Sequence, residues 1–114
     1  MLEQGAIALI PVPFTDLSST KRRPVIVIAS NEYITTTPDM IVVAMTSNPT
    51  QTPYSFTITN DDLVAGSLNR PGQVRTDKIY TIAQHIAVRV FGKVKTEIIQ
   101  RIVTLLHKAT AVEL

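Results

Sequence analysis

Residues 21–30 of the chain read K-R-R-P-V-I-V-I-A-S. Three cations and a proline lead directly into an unbroken apolar run at 25–29, and a similar run occupies 41–45. A continuous apolar run is typical of a strand covered on both faces, because a strand with one wet face would alternate between apolar and polar residues. The stretch therefore predicts a strand buried on both sides, with positive charge at its N-terminal end.

The composition favours a sheet. Val, Ile and Thr make up 40 of the 114 residues, and β-branched side chains fit the pleated surface of a sheet. Turn-forming segments rich in Pro, Asn and Asp separate the predicted strands, which cover residues 5–10, 24–30, 40–46, 54–59, 73–82 and, less clearly, 86–91. The segments 54–59 and 73–82 alternate, so each is expected to have one solvated face.

The spacing between apolar residues changes near the C-terminus. Apolar residues in the last twenty positions recur at the spacing of an amphipathic helix. Thr96 is the predicted N-cap, and Glu97 suits the first turn, where the helix dipole favours a negative charge. The expected fold is therefore mainly β, a strongly curved sheet or barrel with a C-terminal α-helix packed against it.

Length and composition exclude several classes of protein. A chain of 114 residues is expected to form a single domain, residues 1–114. The absence of cysteine rules out disulfides and thiolate ligands, and two distant histidines do not make a zinc site, so we expect no metal or other cofactor. No apolar run is long enough to span a membrane or form a signal peptide, so a cytoplasmic protein is expected.

Positive charge is unevenly distributed along the chain. The net charge is only +2, yet residues 21–23 are all basic, and residues 70–95 carry six cations against a single acid, Asp77. Two such clusters could converge into one positive patch, which is the electrostatic footprint of a protein that binds polyanions.

The basic run contains the first candidate site residues. Pro24 restricts the preceding residue to extended geometry, so the guanidinium of Arg23 leaves the start of the strand in a defined direction. Arg23 could hold a phosphate through two hydrogen bonds, while Lys21 and Arg22 supply longer-range attraction. A charged loop that keeps a sheet edge soluble is the alternative.

A second candidate site lies in the stretch G-Q-V-R-T-D-K-I at 72–79. Arg75 and Asp77 are two residues apart and should share one face of a strand, whereas Lys78 and Tyr80 should share the opposite face. The arginine and the aspartate could form an ordinary surface salt bridge. They could equally combine a general base with a group that neutralises charge on a phosphate.

Two further segments offer weaker candidates. Thr46 and Ser47 end an apolar strand, where their hydroxyls could donate to a phosphate oxygen or simply begin a turn. Phe14, in the loop before the basic run, is expected in the core first and as a platform for an unpaired base second.

The same segments occur in a recognisable order. The order is G-x-I from residue 5, P-F-T-D at 13–16, the basic stretch at 21–30, V-A-M-T-S at 43–47, and G-S-L..P..V-R-T-D-K-I.T-I across 66–82. Together they resemble the MazF/PemK family of toxin endoribonucleases over nearly the whole chain. The resemblance implies an SH3-like barrel, usually a homodimer, that a small antitoxin neutralises and that meets DNA only through the antitoxin complex.

The resemblance also implies an activity, which is metal-independent cleavage of single-stranded RNA. Its site positions fall on Arg23, Thr46, Arg75 and Asp77. The RNA contacts are expected from Lys21, Arg22, Ser47, Phe14 and Lys78. We expect the 2′-hydroxyl of the RNA to attack the adjacent phosphorus, with Asp77 as base, Arg75 stabilising the transition state, and Arg23 and Thr46 holding the phosphate.

One departure from the family pattern and two alternatives remain. Many relatives have Ser where this chain has Gly72, so any function of that hydroxyl is missing. A toxin of the same fold could instead bind DNA gyrase without catalysis, but that branch relies on a C-terminal tryptophan and this chain has none. The third possibility is an inert module that binds the antitoxin or nucleic acid.

Overall fold

The computed structural model describes residues 2–12 and 21–114, with seven strands and two helices in these ranges. The strands are β1 (Ala6–Val12), β2 (Lys21–Val27), β3 (Asp39–Thr46), β4 (Ser55–Ile58), β5 (Leu63–Gly66), β6 (Gly72–Ala83) and β7 (Arg89–Val94). The helices are α1 (Asn31–Thr36) and α2 (Thr96–Ala109), and short 3-10 turns occupy Asn60–Asp62 and Gln84–Ile86.

All seven strands belong to one sheet in the order β4-β6-β3-β2-β1-β7-β5, and each described pairing is antiparallel. The sheet curls into a half-barrel, and the turn Asn60–Asp62 connects its two edge strands, β4 and β5. The prediction of a mainly β, barrel-like fold closed by a C-terminal helix is confirmed.

Each face of the sheet carries its own hydrophobic core. The inner core joins residues of β1, β2, β3, β4 and β6 to Ile98, Ile99 and Ile102 of α2. The outer core lies on the other face, where Ile34 of α1 covers residues of β1, β2 and β3. Val25 and Val27 point into the outer core, while Ile26 between them points into the inner core. The prediction that the runs at 25–29 and 41–45 are covered on both faces is confirmed.

The predicted strands are present with shifted ends. β2 begins at Lys21, earlier than predicted, because the backbone of Lys21–Arg23 pairs with β1. β7 begins at Arg89, later than predicted, because Gln84–Ile86 forms a 3-10 turn. β5 was not predicted; it is only four residues long, mostly exposed, and pairs with β7 alone among the described strands.

The helices differ from the prediction in two details. Thr96 is the first residue of α2, and the N-cap is Lys95, whose side chain makes no capping hydrogen bond. The short helix α1 was not predicted because its sequence is rich in β-branched residues. It forms because the Ser30 hydroxyl accepts from the N–H of Tyr33 and because Ile34 is buried. None of the helices in the described ranges is long and apolar enough to cross a membrane.

A bulge divides β6 into two parts. Along β3, Val43 pairs with Ile79 and the next residue, Ala44, pairs with Arg75, so residues 76–78 are extra. Thr76 is fully buried, and its N–H and hydroxyl both donate to the carbonyl oxygen of Tyr54, at 3.0 Å and 2.6 Å. These two hydrogen bonds hold the bulge at a fixed place in the strand.

The far end of β6 is held by Gln84. Its side-chain amide nitrogen lies 2.9 Å from each of three carbonyl oxygens, those of Ile34, Thr37 and Asp39. The two N–H donors of this one amide group therefore link the end of α1, the start of β3 and the turn after β6.

Replacing Gln84 by Glu is expected to destabilise the fold. The change puts a carboxylate oxygen against three carbonyl oxygens, and the free energy of unfolding at pH 7 should fall by about 1–3 kcal/mol. Urea unfolding of the two proteins measures the difference. Gln84→Met, which removes the donor without adding a charge, should cost less. A Glu variant as stable as the parent protein would show that these contacts do not stabilise the corner.

Candidate functional site

The boundary at which β2 and β3 pair, which we call the seam, opens at Pro24, where the two strands are no longer paired. The N–H of Ile28 donates to the carbonyl oxygen of Ile41 on β3, whereas the carbonyl of Val27 accepts from Gly5, next to β1. Because backbone direction alternates along a strand, the N–H at position 24 would also face β3. Proline has no N–H, and the β2–β3 pairing ends at the preceding rung, Val25 with Ala44.

A cavity of about 240 Å³ lies beside this opening, on the outer-core face of the sheet. Its functional side chains are Arg23 from β2, Thr46 from β3, and Arg75, Lys78 and Tyr80 from β6. We call it the arginine pocket. It brings together cations from both basic stretches of the sequence, although these stretches are some fifty residues apart. The arrangement provides a concave, positively charged site for an anion.

Thr46 presents its hydroxyl at the end of β3. The hydroxyl oxygen accepts a hydrogen bond of 3.2 Å from the backbone N–H of Asn48, which begins the turn after the strand. Both interpretations of Thr46 are therefore compatible, because an oxygen that accepts from the turn can still donate its proton to an anion in the pocket.

Arg75 and Asp77 lie together at the bulge, as their spacing predicts. The Nε atom of Arg75 is 3.5 Å from Oδ1 of Asp77, and both side chains are partly exposed. Nε of Arg75 is shielded from solvent and makes no hydrogen bond to any residue in the described ranges. Arg75 lines the pocket, and the carboxylate stands beside its guanidinium, outside the pocket lining.

The position of Tyr80 differs from the prediction. Simple alternation places Lys78 and Tyr80 on the face opposite to Arg75, but all three side chains line the arginine pocket. The three extra residues of the bulge shift the alternation by an odd number, which moves Tyr80 to the face of Arg75. The phenol ring also packs against the outer core, so it forms a wall of the site.

The remaining predicted residues fall in different places. Ser47 is exposed and borders a second cavity. Arg22 is exposed on β2, in register with Pro11, and borders none of the three cavities found in the described ranges. The backbone of Lys21 pairs with Val12, but its side chain lies outside the described part, and Phe14 lies outside the described residues altogether.

The second cavity has a volume of about 400 Å³ and lies on the inner-core face of the same opening. We call it the apolar pocket. Its apolar side chains are those of Leu9, Pro24, Met45, Leu68, Pro71 and Phe91. Met45 and Thr46 border both cavities, so the two sites adjoin at the end of β3. Sequence reasoning did not find this pocket, because its residues come from five separate segments.

Gly72 packs closely against Met45. A Cβ atom on Gly72 would lie 2.7 Å from Sδ of Met45, so a larger residue at position 72 would require the Met45 side chain to shift. A methionine side chain is flexible and can make such a shift at low cost.

No group of three or more His, Asp or Glu side chains that could hold a metal ion is found within residues 2–12 and 21–114. The polar chemistry of the site is that of guanidinium, ammonium, hydroxyl and carboxylate groups.

The family model described as "PemK-like, MazF-like toxin of type II toxin-antitoxin system" matches residues 3–110. No curated protein sequence matches the chain.

Several solved structures share the fold at low sequence identity. MazE–MazF from Deinococcus radiodurans is similar at a TM-score of 0.78 and 17% identity, with 98% of each chain covered. A mycobacterial endoribonuclease in complex with its cognate antitoxin has a TM-score of 0.74 and 18% identity, covering 100% of this chain and 99% of that one. The Mycobacterium tuberculosis toxin MazF-mt6 has the same score and identity, covering 96% and 99%.

Restoring the missing donor at position 24 should extend the β2–β3 ladder. In Pro24→Val, the new N–H faces β3 and is expected to bond to Met45, so this amide should exchange with solvent about five- to tenfold more slowly than an unprotected amide. Hydrogen exchange followed by NMR measures the rate.

Pro71→Val is the matched control, because Pro71 is exposed and precedes β6, so its new amide should exchange freely. Equal, fast exchange at both new amides would mean that the missing N–H of Pro24 is not what ends the ladder.

Proposed function

The chain belongs to the PemK-like, MazF-like toxins of type II toxin–antitoxin systems, and on that basis we propose that it is an endoribonuclease that cleaves single-stranded RNA. Solved structures that share its fold include proteins named as endoribonucleases. With mRNA as its substrate, the protein would act in the cytoplasm and arrest growth when free of its antitoxin.

The observation that carries the proposal is the arginine pocket. Arg23, Arg75 and Lys78 border one cavity of about 240 Å³ together with the hydroxyl-bearing Thr46. A phosphodiester has the negative charge and the acceptor oxygens that these cationic and hydroxyl side chains match. An RNA phosphate is therefore the ligand class that the pocket suits best.

The proposed reaction uses the 2′-hydroxyl of the RNA as nucleophile. The carboxylate of Asp77 takes its proton, the O2′–P bond forms, and the P–O5′ bond breaks. Arg75 neutralises the negative charge that develops on the phosphorane and on the departing 5′-oxygen, which then takes a proton from water. The products are a 2′,3′-cyclic phosphate and a 5′-hydroxyl, and DNA is not a substrate because it lacks the nucleophile.

The other side chains hold the substrate. Arg23 and Thr46 bind the non-bridging oxygens of the scissile phosphate, and Lys78 and Arg22 attract the flanking backbone. Lys21, Ser47 and Phe14 complete the proposed RNA contacts. Because side chains supply both the base and the charge stabilisation, the reaction needs no metal ion.

Cleavage of an end-labelled single-stranded RNA tests this assignment. The parent protein should give cyclic phosphate and 5′-hydroxyl ends with or without EDTA, and a 2′-deoxy substitution at the cleaved nucleotide should stop the reaction. Arg75→Ala should lower kcat by about 10²–10³ because it removes charge stabilisation. Asp77→Asn should lower kcat by about 10²–10⁴ because it removes the base.

Lys108→Ala is the control, since it removes an exposed positive charge from α2, and Lys108 borders none of the three cavities found in the described ranges. Arg75→Ala and Asp77→Ala proteins that cut RNA at the parental rate would show that the pair is structural. An intact RNA would reject the nuclease and favour a toxin that acts by binding, or an inert module.

The proposed partners are a cognate antitoxin and a second copy of the chain. Structural neighbours include complexes with an antitoxin, which supports the first, and contact with DNA would come only through that complex. Val88 just before β7, Val90 within β7 and Val103 of α2 are each between 45% and 49% exposed, and a second copy of the chain could cover such side chains.

The oligomeric state can be measured directly. Analytical ultracentrifugation is expected to give about twice the monomer mass of 12.5 kDa. Val103→Lys should shift the equilibrium toward monomer if α2 contributes to the interface, because a buried charge without a partner is costly. A parent protein that sediments as a monomer at all accessible concentrations would reject the dimer.

A further inference from the structure

We propose that the apolar pocket is a nucleobase subsite, which receives the base next to the scissile phosphate and so helps to select the sequence that is cut. The inference rests on the proposed function, because it needs an RNA phosphate in the arginine pocket. It assigns a binding role to residues that were not among the predicted RNA contacts, above all Leu68, Arg89 and Phe91.

The first argument is contiguity. Pro24 ends the seam between β2 and β3, and the opening it leaves is accessible from both faces of the sheet. Met45 and Thr46 border the cavity on each side, Ser47 faces the apolar pocket, and Asn48 faces the arginine pocket. A phosphate held by Thr46 therefore lies next to the mouth of the apolar pocket, and the attached nucleotide needs only to turn around the end of β3.

The second argument is chemical. Leu9 and Leu68 give the pocket an apolar lining, and the ring of Phe91 contributes an aromatic surface. Unpaired bases bind such surfaces by stacking and burial, with about 1–3 kcal/mol per base. Ser67 and Asn69 at the rim carry hydrogen-bonding groups that can discriminate between base edges. A volume of about 400 Å³ lies in the range of pockets that take small organic ligands.

The third argument is charge. Arg70 and Arg89 are exposed and border the pocket, and no acidic residue is among its described lining residues. A nucleotide brings a phosphate with its base, so cations at the rim of an apolar cavity match both parts of the ligand. Arg70 also borders a smaller cavity that contains Asp61, so Arg89 is the cation specific to the apolar pocket among these two.

An abasic scan tests the subsite. RNA substrates each lack one base near the cleaved bond, and kcat/KM is measured for the parent protein and for its variants. In the parent protein, removing the base at one position next to the scissile phosphate should lower kcat/KM by about five- to 150-fold, the factor that corresponds to the stacking energy. In Arg89→Ala and in Leu68→Ala, the loss at that position should shrink toward unity while losses elsewhere stay the same.

The salt dependence of kcat/KM gives a second readout for the exposed arginines, whose replacement should not disturb folding. If Arg89 contacts the backbone of the bound strand, log(kcat/KM) against log salt should become less steep by about 0.7 in Arg89→Ala. Lys108→Ala is the control and should keep both the abasic loss and the slope. Thermal unfolding of Leu68→Ala shows whether that variant is folded at the assay temperature.

The outcomes separate this inference from the proposed function. Cleavage by the parent protein with no abasic loss at a flanking position, or with a loss that Arg89→Ala and Leu68→Ala leave unchanged, overturns the subsite and leaves the pocket to a protein partner. Where no cleavage occurs, the same scan is read from the Kd of 2′-deoxy-substituted RNA, and a flanking loss that Arg89→Ala and Leu68→Ala reduce still supports the subsite. A protein that neither cuts nor binds RNA rejects both.

Discussion

The site depends on one missing hydrogen-bond donor. The backbone nitrogen of residue 24 faces β3, and an N–H there would continue the ladder to Met45. Proline has no N–H, so the pairing ends at Val25 and Ala44. Prolines are normally kept out of central strands for this reason. Here the interruption lies between two strands of the core, and both cavities of the site border the opening that it creates.

A second constraint places the charged groups at that opening. The bulge in β6 inserts residues 76–78, and the two hydrogen bonds from Thr76 to Tyr54 keep it in place. Arg75 lies immediately before the inserted residues and Asp77 lies among them, so the buried Thr76 fixes the backbone from which the guanidinium and the carboxylate extend. This limits the conformational freedom that an exposed pair would otherwise have to lose on binding.

The two hydrophobic cores allow the fold to tolerate both the missing hydrogen bond at Pro24 and the bulge in β6. A sheet buried on one face would lose much of its stability if its central seam opened, but here fully buried side chains such as Ile26 and Val42 pack on opposite faces beyond the opening. Each contributes about 1.5–3 kcal/mol by burial. At the end of β2 away from the site, the N–H groups of Ile28 and Ala29 both donate to the carbonyl oxygen of Ile41, so β2 and β3 stay joined there.

The sequence by itself determined the strands with strong apolar patterns, the C-terminal helix, the proximity of Arg75 and Asp77, and the family. These features are local, since each depends on residues within a few positions of one another or on their order in the chain. Only the tertiary structure decided the pairing of the sheet, the bulge, the face on which Tyr80 lies, and the two cavities. A bulge exists because two neighbouring strands differ in length between fixed rungs, and a cavity exists where segments far apart in the chain fail to fill space together. Neither the bulge nor the cavities are a property of any single segment, which is why local propensity and periodicity could not predict these features.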